Sequence, residues 1–152
     1  MDNEKKLFRT LRGFLSGKEK PAENYFKYSA TLRIAGENLD FNEINRVLNL
    51  LPTYIHRKGG KPGPRSPQFK ADMWAYKSSI SEERPLEEHI DSLWSDIKHA
   101  KEYLLSIKSK ANVHVFVGYR SNNDMAGIEI PYTSLEMFIE LKIPFGISIN
   151  IA

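Results

Sequence analysis

The chain contains no cysteine, which removes disulfides, thiolate metal sites and a cysteine nucleophile at once. That suits a reducing cytoplasm, the compartment expected here. No apolar run approaches the roughly 20 residues that span a bilayer, so no transmembrane segment is expected. The opening Met1-Asp2-Asn3-Glu4-Lys5-Lys6 lacks the apolar stretch of a signal peptide. Histidine is sparse. His56, His89, His99 and His114 show neither H-x-x-x-H nor H-E-x-x-H spacing and no carboxylate grouping, so no metal site is expected. A G-x-S-x-G elbow is missing, as are both glycine-rich phosphate motifs. Glu82-Glu83 and Glu87-Glu88 read as acids favoured near a helix N-terminus by its dipole. These gaps leave no catalytic residue and no cofactor to assign.

What is present is an ordinary globular composition with one anomaly. At 152 residues, 41% hydrophobic and 27% charged, the chain is long enough for one domain with a single core. The net charge of +3 is unevenly spread. Between Thr53 and Lys77 six Lys or Arg face Asp72 alone, giving +5, and residues 1–25 carry +2, so the remainder is −4. The molecule reads as a mildly acidic body with one basic segment, which favours a localised anionic partner.

Apolar periodicity divides the chain into elements. Leu7, Phe8, Leu11, Phe14 and Leu15 stand at helical spacing among Lys5, Lys6, Arg9 and Arg12, which predicts an N-terminal amphipathic helix and linker over 1–24. Tyr25 to Ile34 alternates, with Phe26, Tyr28, Ala30, Leu32 and Ile34 on one face. Asp40 and Glu43 have capping-box spacing before a helix with Phe41, Ile44, Val47, Leu48 and Leu51 as its buried stripe and Pro52 as its stop. Met73 to Ile80 reads as a strand, and Pro85 opens a long helix from Leu86 to Ile107. Val113 to Tyr119 and Gly127 to Ile130 read as a hairpin. Thr133 and Glu136 repeat the capping-box spacing before a short helix, and Gly146 to Ile151 is a closing strand. Trp74 and Trp94 read as core.

The order β-α-(loop)-β-α-β-β-α-β gives an α+β fold over residues 25–152. The expected architecture is a two-layer sandwich: a mostly antiparallel or mixed five-stranded sheet with helices on one face, ferredoxin-like in broad terms.

The anomaly is the run from Ile55 to Lys70, where six of sixteen residues are Gly or Pro, five are Lys or Arg, and none is acidic. Such a segment excludes a regular helix or central strand. Its expected role is anion recognition. Arg57 and Arg65 can grip a phosphate or carboxylate bidentately, Lys58 and Lys61 add charge, and Gly59-Gly60 can present backbone N–H groups. Tyr54, Phe69, Trp74 and Tyr76 flank the loop. The chain therefore reads as a non-enzymatic binding module for an acidic protein or a small anion, with nucleic acid less favoured. The alternative is an enzyme or phosphate-handling domain in which Thr53, His56 and Lys58 converge on a phosphate. A third reading is a homo-oligomer assembled through the Leu7/Phe8/Leu11/Phe14 face.

Leu51-Pro52-Thr53, Lys58-Gly59, a tryptophan-bearing strand at 73–80 and a long helix from Leu86 follow one another, and a short helix over Leu135–Leu141 runs into the closing strand. This succession resembles the bacterial family known only as domain of unknown function 4279, over about Tyr25 to Ile151. Pro52, Thr53, Lys58, Gly59 and Trp74 carry the resemblance. It implies a small bacterial cytoplasmic α+β protein without an established activity, some of whose relatives look like immunity proteins in toxin–antitoxin-type loci. In similar proteins a short polar segment joins Lys-Gly to the tryptophan strand, whereas here that segment is long and rich in Pro and Gly.

Overall fold

The computed structural model describes residues 23–125 and 127–152. The N-terminal helix expected over 2–15, and the oligomer face assigned to it, lie outside the described residues. The elements are β1 (Phe26–Gly36), α1 (Phe41–Leu48), β2 (Tyr54–His56), β3 (Asp72–Lys77), α2 (Leu86–Ile97), α3 (Lys101–Ile107), β4 (Ala111–Ser121), α4 (Glu136–Leu141) and β5 (Ile147–Ile151). Single 3-10 turns at Lys98–Ala100 and Tyr132–Leu135 precede α3 and α4.

The sheet runs β2-β3-β1-β4-β5. Its first four strands are antiparallel to their neighbours, and β5 lies parallel to β4. A parallel neighbour needs a crossover, and α4 supplies it. The unit from β1 to β4 has ferredoxin-like β-α-β-β-α-β connectivity, so the expected α+β class holds, with α4 and β5 added to one edge.

Alternation decides which face is covered. Ala30, Leu32 and Ile34 of β1 stand opposite Val117, Val115 and Val113 of β4, and all six are buried. Trp74 of β3 pairs with Ile34 and is wholly buried. The helices close this face with Ile44 and Leu48 of α1, Ile90, Leu93 and Ile97 of α2, Leu104 of α3, and Met137 and Leu141 of α4. The intervening residues, among them Lys27, Ser29, Thr31 and Arg33, point away from the helices. Among the described residues, no helix is long and apolar enough to cross a membrane.

Several local expectations change. Gly127 to Ile130 forms no strand, because β4 has two edges and β1 and β5 occupy both. Ile128 and Ile130 nevertheless pack against the core. The fifth strand is instead Tyr54–His56, which the sequence reading placed in or beside the loop. Helix α1 stops at Leu48, because Asn49 takes the left-handed conformation at φ 52°, so Leu51 is 78% exposed rather than part of the buried stripe. Asp40 caps α1 by accepting from the Glu43 N–H at 3.0 Å. The second capping box does not form. Glu136 instead accepts from the Trp94 indole N–H at 2.7 Å, which ties α4 to α2. The long helix is broken by the turn at 98–100, so that Ile97, Ala100, Leu104 and Ile107 all meet the core.

Candidate functional site: the basic loop and its root

The connection between β2 and β3 contains every residue singled out for anion recognition except Thr53 and His56, which lie just before it. Its organiser is Asp72, the first residue of β3, whose side chain is buried beneath the loop. Its carboxylate accepts from the Lys58 N–H at 2.8 Å, the Leu39 N–H at 3.0 Å and Arg57 Nη1 at 2.9 Å. The bond from the Lys58 N–H, followed by those from Leu39 and Arg57, holds the Asp72 carboxyl below the usual aspartate range against the opposing effect of burial. Arg57 also donates to the Leu39 carbonyl at 2.7 Å, and its guanidinium lies 3.7 Å over the Phe41 ring. This arginine joins the loop to the start of α1.

The other early positions are likewise engaged. Lys58 Nζ pairs with Glu37, a hydrogen bond that raises the lysine pKa. Thr53 Oγ1 donates to the Ala75 carbonyl at 3.2 Å and accepts from the Lys77 N–H at 3.1 Å, which fixes β2 beside β3. The His56 ring stacks on Phe69 with centroids 3.6 Å apart, and its Nδ1 lies 3.0 Å from the Tyr54 hydroxyl. Thr53, His56 and Lys58 are thus bonded to other groups, and no hydrogen bond joins any two of them.

The glycines fold the loop back on itself. The Gly59 N–H donates to the Phe69 carbonyl at 2.9 Å, and the Phe69 N–H donates to the Gly60 carbonyl at 2.8 Å. The Gly60 N–H donates to the Arg57 carbonyl at 3.1 Å. Gly59 has φ 83°, a conformation that disfavours any side chain. Both glycine N–H groups are therefore used within the loop rather than turned outward as an anion nest. Lys61, Arg65 and Lys70 remain exposed, and among the described residues none of them forms a salt bridge.

Sequence reasoning missed one pairing of chemical interest. Ser78 Oγ lies 2.8 Å from His89 Nδ1, and both residues are buried. Burial pushes the His89 pKa down. His89 is wholly covered by protein, so the pair fastens the start of α2 to the end of β3 rather than meeting a substrate. His114, on the face away from the helices, is half-buried, and burial followed by the charge of Arg33 lowers its pKa. Among the described residues, no group of three or more His, Asp or Glu is placed to hold a metal ion.

The fold and this loop place the chain in a class before any partner is known. The family described as "Domain of unknown function (DUF4279)" matches residues 26–152, and the chain belongs to it. No curated protein and no solved structure matches the chain.

Proposed function

We propose that this protein is a non-enzymatic binding module that recognises an acidic protein surface through the loop between β2 and β3. The observation that carries this reading is the division of the loop's charge. Arg57 and Lys58 are tied to Asp72 and Glu37, whereas Lys61, Arg65 and Lys70 stand exposed without an anionic partner among the described residues. A loop pinned at its root loses less conformational freedom when its outer cations meet a partner. Exposed ion pairs contribute about 0.2–1 kcal/mol each, so three together support a modest, salt-sensitive association.

An acidic protein surface fits better than a small anion, because the Gly59 and Gly60 N–H groups that would cradle an anion are already bonded. In this reading Thr53, His56, Arg57, Lys58 and Gly59 build the platform, and Lys61 and Arg65 contact the partner. An immunity-type role in the cytoplasm suits that chemistry, with a toxin as the acidic partner.

Retention of the full chain on immobilised polyglutamate tests the reading. We expect elution to move to lower salt, with affinity reduced about tenfold, when Lys61→Ala, Arg65→Ala and Lys70→Ala are combined. Retention that ignores both the triple substitution and a rise in salt from about 0.05 to 0.5 M would overturn it.

A further inference from the structure

A glycine in mid-strand weakens a sheet, so Gly118 in β4 needs a reason. It pairs in unbroken register with Ser29 of β1 on one side and Ser148 of β5 on the other, which excludes a bulge. Its position opens on the face turned away from the helices. A Cβ there would come within 2.7 Å of Ser29 Oγ and 3.1 Å of the Phe116 ring. The edge of that ring takes part of the space, and the Arg33 guanidinium, 4.1 Å over its centroid, braces it. The remaining space is a cavity of about 270 Å³ with Gly118 in its lining.

The charge around this basin has one dominant sign. Lys27 and Arg120 face each other across β1 and β4, two residues along from Gly118, and both are exposed. The charged residues at sheet positions on this face are Lys27, Arg33, Lys77 and Arg120, all of them cations. Glu82 is the one carboxylate lining the cavity, and it pairs with Lys77 and, at 3.9 Å, with Lys27. Asn150 stands beside Arg120 and supplies a neutral amide.

We propose that this basin is a binding site for a nucleoside monophosphate. The planar base lies on the bare Gly118 backbone against the edge of the Phe116 ring, and the phosphate sits between Lys27 and Arg120. Two residues of strand separate these positions by about 6.6 Å, which suits the reach from a base through its ribose to the phosphate. Ser148 and Asn150 are placed to meet the ribose hydroxyls. A cavity at or just below the usual lower bound of roughly 300 Å³ for ligand sites admits a mononucleotide rather than a dinucleotide. The site is independent of the basic loop, which hangs from β2 and β3 at the other edge of the sheet.

Titration of the full chain with adenosine monophosphate, followed through the amide signals of Ser29, Gly118 and Ser148, tests the proposal. We expect saturable shifts at those three amides, with adenosine and inorganic phosphate each binding about tenfold more weakly or worse. Arg120→Ala should weaken the nucleotide about tenfold and leave adenosine unchanged, since only the phosphate meets that side chain. Gly118→Ala combined with Ser29→Ala, which removes the oxygen the new Cβ would strike, should abolish binding of both. Arg120 is exposed, so its substitution keeps the test independent of any folding defect in the double variant. Shifts that never saturate, shifts centred on residues 57–70, or oligonucleotides that bind more tightly with each added residue would overturn the proposal. The variant at Lys61, Arg65 and Lys70 should bind the nucleotide normally, so the two sites stand or fall separately.

Discussion

At Asp72 donors from Leu39, Arg57 and Lys58 meet one buried carboxylate, so a single side chain holds the root of the basic loop against the start of α1. Removing one partner from a buried, charge-assisted network leaves the other groups unsatisfied. We expect Asp72→Ala to lower the unfolding free energy by about 3 kcal/mol, measured by urea denaturation at neutral pH. The folded-state pKa of Asp72 lies below its unfolded value, so its contribution is complete above the unfolded value and disappears as pH falls through the folded one. The stability gap between the natural chain and Asp72→Asn should therefore narrow as pH drops from about 5 toward 2. A gap that stayed constant over that range would contradict the assignment. None of this was legible in the spacing of residues. Arg57 and Lys58 stood out as cations, but the acid that neutralises one of them lies 15 residues further on, beyond the Pro-Gly turns.

At the scale of elements, the signals that worked were the ones written within a few residues. The Asp40 cap, the alternation of β1 and the apolar faces of α1 and α2 need only local spacing to be read. Pairing signals were harder. Gly127-Ile128-Glu129-Ile130 alternates as a strand should, yet both edges of β4 are already occupied. Tyr54-Ile55-His56 is only three residues long and becomes a strand because β3 lies beside it. Helix α4 ends on Lys142 at φ 52°, where its backbone N–H donates to the Ile139 and Phe138 carbonyls. A lysine in this conformation is strained by its Cβ, and glycine is not. Lys142→Gly should stabilise the fold by about 1 kcal/mol in equilibrium unfolding, and a loss of stability would show that its side chain matters more than its backbone.

For the whole molecule, the layers separate charge as well as polarity. The loop and the outer sheet face carry cations, while acidic residues crowd the first turns of α1 and α2 through Glu43, Glu87 and Glu88. The sheet is also unequal in stability across its width. β1 is paired along eleven residues with β4 and along six with β3, whereas β2 and β5 each have one neighbour. Native-state hydrogen exchange should therefore be slowest at Ala30, Leu32 and Ile34 and faster in β2 and β5. Greatest protection in β5 would contradict this order.

By itself the sequence determined the α+β class, the buried face of each long element, the family and the location of the positive charge. These follow from periodicity and composition, which act within a turn of helix or a few residues of strand. Only the tertiary structure decided that Arg57 and Lys58 are spent on the fold while Lys61, Arg65 and Lys70 are not. It also decided that Gly118 opens a basin between Lys27 and Arg120. Both outcomes depend on which strands become neighbours, and that is fixed by burying one sheet face against the helices rather than by any local run of residues.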